Sequence, residues 1–423
     1  MVTNLSDHGP GSLRDCVQRR GPRLVIFAVG GTITLDEELR IDEPYLSVYG
    51  QSAPGGGILL RASPGSIGAV VRVATHDVLL QHLRIRAGSS DRSSCCRDAL
   101  SVASETTDVH HVVLDHLSLS WGLDEIVDLW YDVHDVTLSR SIIAEGLYDN
   151  GSNDKGPAGR GLLIGSDGAH SISVHHNLIA HSYQRNPMIN ASGTVDVVNN
   201  LVYHWLTHAA SVHSDFGVAR VNFVGNRWIP LLDPPEREQH SRTRWGDVML
   251  YPTRFGMEVY FRDNFGHHRR SAEQPEWAVA HVGMDEPYRP ELKLHAAAAH
   301  PAPSITSVPA SELEQTLPNN VGATLPVRDA VDRRILHSLT AREGLVPNCV
   351  SADDRDGEDR CAVNAGGWPI MDAGRPAQDS DSDGMPDPWE RDNGFDPARA
   401  DSLEDRDGNG YLNLEQWLFR SRS

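Results

Sequence analysis

Asp379, Asp381, Asp383, Gly384, Met385, Asp387 and Glu390 stand at positions 1, 3, 5, 6, 7, 9 and 12 of one loop. That spacing carries chemistry. Alternate side-chain oxygens wrap one hard cation, the glycine permits a sharp turn, and a closing glutamate can bind through both oxygens. It predicts a calcium loop of EF-hand type. A second set, Asp405, Asp407, Asn409, Gly410 and Asn413, follows the same plan, with Glu415 or Gln416 closing it less regularly. The expected role is structural. The plainer alternative is a disordered acidic tail, and the sharper one is a module that docks on a cohesin-type partner. The pairs His110-His111, His175-His176 and His267-His268 look metal-binding at first sight. Adjacent residues on a strand point to opposite faces, however, so such a pair seldom chelates one ion.

A second group, Asp98, Asp124, Asp128 and Arg185, acts together only if the fold gathers it. A repeat supplies the means. An apolar residue, two mostly polar ones, a small or polar residue and another apolar one recur at Leu80–Ile85, Leu114–Leu119, Leu138–Ile143, Val174–Ile179, Val197–Val202, Phe223–Trp228 and Phe261–Phe265. The copies begin 34, 24, 36, 23, 26 and 38 residues apart, so the short period lies near 24 and the long intervals hold an inserted loop. Each copy is too short for a helix, is rich in Val, Ile and Leu, and is broken by residues such as Gly88, Gly122, Gly193 and Gly225. Units of this size bury a face only against their neighbours. The expected fold is all-β, a right-handed parallel β-helix. A leucine-rich horseshoe would need a different, more regular consensus. Asn177, Asn200, Asn226 and Asn264 hold one place in four copies and are expected to stack as a ladder that bonds turn backbone.

Equal offsets from the repeat then mean equal angles around the axis. Asp124 lies ten residues after Leu114 and Arg185 eleven after Val174, two coils along. They should share a face on the order of 10 Å apart, since neighbouring coils are about 4.8 Å apart. Asp128 follows four residues later and Asp98 precedes the same coil, so three carboxylates are expected to face one arginine.

At this point the sequence resembles the pectate lyases of polysaccharide lyase family 1, over roughly residues 3–300. The resemblance rests on Val113-Leu114-Asp115-His116, the run Asp124 to Asp128, Leu163-Ile164-Gly165, His176-Asn177, Arg185-Asn186-Pro187 and Val198-Asn199-Asn200. The openings Val2-Thr3-Asn4-Leu5 and Gly11-Ser12-Leu13-Arg14 and the acidic tail are similar to bacterial members. The resemblance implies that Asp98, Asp124 and Asp128 hold a catalytic calcium ion. It implies that Arg185 takes the C5 proton of galacturonate, and that Arg160 contacts a substrate carboxylate. Asn190 stands where several members carry a second arginine, so a substrate contact of altered kind is expected there. Asp124 replaces a glutamate of many members and keeps its charge. The implied reaction is calcium-dependent β-elimination of α-1,4-polygalacturonate to 4,5-unsaturated products. An arginine base favours an alkaline optimum, because its ordinary pKa is above about 12.

Rival readings differ in what they need. A glycoside hydrolase needs an acid and base or nucleophile pair of carboxylates and no metal, and a polygalacturonase-type Gly-His-Gly element is missing. A lyase for methyl-esterified pectin should lack the acidic cluster. A lyase for another polyuronate stays open through Asn190, as does a glycan-binding β-helix that does not cleave.

Composition agrees with a turn-rich strand protein: aromatics are 6% and charged residues 23%, with 37 Gly and 25 Pro in 423 residues. Net charge is −20, but Asp379 to Glu415 holds twelve acids against three arginines, so much of the excess sits in the tail. No basic stripe suggests nucleic acid, and no apolar run is long enough to span a membrane. Cys349 and Cys361 flank an acidic loop and could form a disulfide, which fits an extracytoplasmic protein; Cys16, Cys95 and Cys96 are left unassigned. No signal peptide follows Met1, and Val2 reads as the start of a processed chain, so a secreted monomer is expected. The expected domains are a β-helix over 1–300, an extension over 301–378 with helices at Ala310–Gln315 and Asp329–Leu339, and an acidic calcium tail over 379–423.

Overall fold

The computed structural model describes residues 1–423 except 91–95, 149–156, 232–246, 284–285, 288–293, 348–361, 363–364 and 420–423. Its body is a parallel β-helix with three strand faces. One coil shows the plan: strands Arg160–Ser166, His170–His175 and Leu178–Ser182 follow one another and pair in parallel with the next coil at Met188–Ala191, Thr194–Val198 and Leu201–Trp205.

The repeat read from the sequence is the stacking register. Leu80, Leu114, Leu138, Val174, Val197, Phe223 and Phe261 are consecutive partners across seven coils. All seven are nearly or fully buried. Each such side chain contributes roughly 1.5–3 kcal/mol by leaving water, but only when the coils above and below are present. After each of these runs the chain turns a corner through one left-handed residue: His82, His116, Arg140, His176, Asn199, Gly225 and Asp263, with φ between 44° and 66°.

The ladder forms at the position after that corner. The Asn177 amide donates to Asn200 Oδ1 (2.9 Å), Asn200 to Asn226 (3.2 Å) and Asn226 to Asn264 (2.9 Å). The same amides donate to the carbonyls of Leu138, Val174 and Val197. The ladder thus ties each corner back to the strand of the coil before it, and its buried amide groups are met from coil to coil.

After the last coils the chain runs back along the solenoid. His300 pairs with Asn222, Val308 with Asn199 and Gly322 with the carbonyl of Arg140. The expected first helix is a 3-10 turn at Ala310–Glu312 leading into a short α-helix, Leu313–Thr316. The second spans Ala330–Ala341, capped by the Asp329 side chain on Asp332 N. Its Val331, Ile335 and Leu339 are buried in one cluster with Ile142, Leu178 and Leu201 of the solenoid. Arg86, itself fully buried, fixes the helix start by bonding Asp329 (2.7 Å) and Asp332 (3.3 Å). Farther on, the Gly56 amide bonds the carbonyl of Asp372, and the tail's Met385, Leu414, Trp417 and Leu418 pack on Ile26 and Tyr49. The proposed Cys349–Cys361 bridge and Cys95 lie outside the described residues. Among the described residues no helix is long and apolar enough to cross a membrane.

Candidate active site

The face that carries strands Leu39–Ile41, Val71–Val73, Glu125–Ser139, Arg160–Ser166 and Met188–Ala191 is open to one side. Pairing on this face aligns Arg40, Arg72, Ser101, Asp128 and Leu163 in a row across five coils. The loops that enter these strands bring in the other charged residues. Asp124 ends a tight turn through Trp121 (φ 65°) and Gly122, where a Cβ would run into the carbonyl of Glu125. Arg185 is held left-handed (φ 64°) while its carbonyl accepts from Leu162 N (2.6 Å) and Asn186 N donates to the Ala209 carbonyl (2.8 Å). Gly161 permits that approach, since a Cβ there would meet Asn186 and the Arg185 carbonyl.

A cleft of about 890 Å³ results. Asp98, Asp124, Asp128, Arg160 and Arg185 all line it, together with Glu125, Arg72, Arg40, Glu38, Trp130 and Tyr131. Glu125 and Arg160 face each other in register, and Arg185 sits one coil farther, so the two-coil separation expected for Asp124 and Arg185 is the observed one.

Opposite charges alternate along the cleft floor. Arg160 donates to Asp124 and lies 3.7 Å from Glu125, and Arg185 donates to Glu125. Asp98 accepts from Glu125 N (2.9 Å). Burial, then the charge of Asp128, push the Asp98 carboxyl well above the ordinary carboxylate range. Burial raises Asp128 as well, with bonds from Asp98 and Ser101 pulling the other way. Burial pushes Glu125 up to about 7 against the pull of Arg185. The Arg185 guanidinium is lowered by burial, although Glu125 opposes this.

A hard cation fits this donor set. Asp128 Oδ1 is buried with no hydrogen-bond partner among the described residues, and carboxylates that raise one another's pKa are relieved by a divalent charge. The three aspartates are nonetheless not gathered as tightly as those in the tail. Among the described residues, only Asp379, Asp381 and Asp383 bring three ligand atoms within 4.8 Å of one another.

Three expected contact residues have partners within the protein itself. Asn190 does not line the cleft: its amide donates to Asp215 Oδ2 (2.9 Å) and accepts from Asp215 N (3.0 Å), so both ends brace a loop. Asp387 and Asn413, at position 9 of the two tail loops, turn inward. Asp387 Oδ1 accepts from Ser380 N (2.7 Å) and Asn413 Oδ1 from Arg406 N (3.1 Å), so each ties its loop to its own second residue. The remaining tail carboxylates keep the loop plan. Asp379 accepts from the amides of Asp383 and Gly384, and Asp405 from those of Asn409 and Gly410. Glu390 is buried with both oxygens unpartnered among the described residues, and burial followed by the surrounding aspartates pushes it up to about 7.

Sequence reasoning missed Glu125 and Arg72. Arg72 donates to Glu38 (2.9 Å) and Ser101 (3.0 Å) and stands one row partner away from Asp128. Its signal was the same offset rule, applied to coils before Leu80. Glu125 stood inside a motif already singled out, beside the aspartate that drew attention.

No protein-family model matches the chain. Curated relatives do. It is 30% identical over 421 residues to probable pectate lyase C of Aspergillus oryzae, covering 99% of this chain and 88% of that one. It is 29% identical, with the same coverage, to the protein of that name from Aspergillus flavus. Among solved structures it is similar to the major allergen from cedar pollen, with a TM-score of 0.49, 15% identity, and 76% of this chain and 87% of that one covered. Relatives that match from one end of the solenoid to the acidic tail account for body and appendage together, and the chain belongs to the pectate lyase family, an enzyme family of polysaccharide lyases.

Proposed function

We propose that the chain is a secreted, monomeric, calcium-dependent pectate lyase that cleaves α-1,4-polygalacturonate by β-elimination, with no nucleic-acid or membrane partner. The observation that carries this reading is the placement of Arg185, half-buried and lowered in pKa, in one cleft with Asp98, Asp124 and Asp128.

The C5 proton of a galacturonate lies α to a carboxylate and is weakly acidic. Arg185 is the base that removes it, and the C4 oxygen then leaves to give a 4,5-unsaturated sugar. Burial favours the neutral guanidine that this step needs, and alkaline medium adds to it. Glu125 holds Arg185 in the cleft, and Arg160 is fixed in turn by Asp124 and Glu125. Arg72 and Arg40 continue the row towards the earlier coils, where they can meet further carboxylates of an acidic chain. Asp98, Asp124 and Asp128 would hold the calcium ion, whose charge would draw electron density from the substrate carboxylate.

The test is near-ultraviolet absorbance during incubation with polygalacturonate at mildly alkaline pH, with calcium and then with chelator. A rise that chelator stops supports the reading. A flat trace with new reducing ends overturns it in favour of hydrolysis. A flat trace here with a rise on another polyuronate moves the substrate, a reading favoured by the commitment of Asn190 to Asp215.

A further inference from the structure

The first tail loop holds an arrangement the cleft chemistry does not use. Asp379, Asp381 and Asp383 present oxygens within 4.8 Å of one another. Glu390, at position 12, comes up from the helix Asp387–Asp392 with 0% exposure, and neither carboxylate oxygen has a partner among the described residues. Asp381 Oδ2 too has no partner among the described residues. A buried carboxylate without donors, set among other carboxylates, is strongly unfavourable unless a cation joins it. The second loop differs at this point. Its residue 12 is Gln416, whose amide donates to Asp407, and Glu415 is turned away to Leu412 N and the Tyr49 hydroxyl.

What surrounds the first loop sets its role. Asp383 Oδ2 accepts from Asp401 N (3.0 Å) and Ser402 N (2.9 Å), which ties the loop to the segment leading into the second. A Cβ on Gly384 (φ 98°) would run into Ile26, so the loop backbone lies directly on the first coils. Met385, the next residue, is fully buried with Ile26, Tyr49, Leu414 and Trp417. The loop is therefore the joint between the tail helices and the N-terminal coils.

We propose that Asp379, Asp381, Asp383 and Glu390 bind a calcium ion, separate from any ion in the cleft, that locks the tail onto the first coils of the solenoid. The ion orders a joint and takes no part in cleavage.

The full-length protein is stripped with chelator and titrated with terbium, using emission sensitised by Trp389 beside Glu390, and with calcium while thermal unfolding is followed. For wild type and for Asp128→Asn the expected results are saturable emission and a calcium-dependent rise in Tm. For Glu390→Gln the expected results are at least tenfold weaker terbium binding and loss of most of that rise, with kcat at saturating calcium within twofold of wild type. Equal emission and equal Tm shifts in Glu390→Gln and wild type would overturn the proposal. If Glu390→Gln does not fold, limited proteolysis of wild type decides. Calcium should protect the segment between residues 395 and 415, and equal cleavage with calcium and chelator overturns the lock.

Discussion

The guanidinium of Arg185 is bonded to the buried carboxylate of Glu125, two coils away along the β-helix. The two residues pull in opposite senses. The bond places the arginine, but a negative charge beside it favours the protonated form and so opposes its use as a base. Glu125→Gln should therefore lower kcat by about tenfold through looser placement. It should also start the alkaline rise in kcat at lower pH. A pH profile of kcat superimposable on wild type would remove Glu125 from this role.

Arg185→Ala should reduce turnover by about 10²–10⁴-fold, the usual range for loss of a positioned base. Its circular dichroism and Tm should stay close to wild type, because the residue is at the cleft surface and not in the stacked core. Initial rates on polygalacturonate at several pH values make the check, and retained activity removes the base assignment.

Asp128→Asn should raise the calcium concentration needed for half-maximal turnover by at least about tenfold, since one ligand charge of a hard-cation site is lost. Terbium emission from the tail should be unaffected. An unchanged calcium requirement would take Asp128 out of the ligand set.

Asn226→Ala removes an amide that accepts from Asn200 N and its side chain and donates to Val197 O and Asn264. Leaving such buried groups unmet costs about 1–3 kcal/mol each. A loss of at least about 2 kcal/mol in chemical unfolding is expected, with kcat at 25 °C little changed. A loss below about 0.5 kcal/mol would mean that water replaces the rung.

His82 should make the fold acid-sensitive. Burial, helped by the charge of His116 stacked 4.7 Å away, lowers it from 6.5 to about 3. The unfolded chain thus takes up the proton first. Stability from this group is complete above its unfolded value of 6.5 and is lost as pH falls towards 3. By pH 5 the loss is roughly 2 kcal/mol. His82→Gln should flatten the fall in Tm between pH 7 and pH 5; an equally steep fall would place the acid sensitivity elsewhere.

The parts that were legible in the sequence obey one rule, that equal offset means equal angle. Leu114, Leu138 and Val174 revealed the core row, Asn177 to Asn264 the ladder, and the same rule carried Asp124 and Arg185 to one cleft. The rule places backbones and is silent about where a side chain turns. Asn190 sits on the cleft-bearing sheet yet bonds Asp215, and Asp387 and Asn413 fit a ligand spacing yet face their own loops. Those outcomes depend on which donor is nearest after folding. Arg72 was missed because the repeat was counted only from Leu80, although its strand pairs directly with the one carrying Ser101.

The hydrogen bond between Tyr49 and Glu415 joins residues 366 positions apart. A solenoid made only of neighbour contacts can be completed coil by coil as it leaves a ribosome or crosses a secretion channel. Here the flank that carries Ile26 and Tyr49 is covered by a segment made far later, so that flank waits uncovered until the acidic tail has emerged. Assembly of that flank thus ends long after its own coils are made. A chain released short of its tail would display an apolar patch at its earliest coils, the kind of surface that holding chaperones and quality-control proteases recognise.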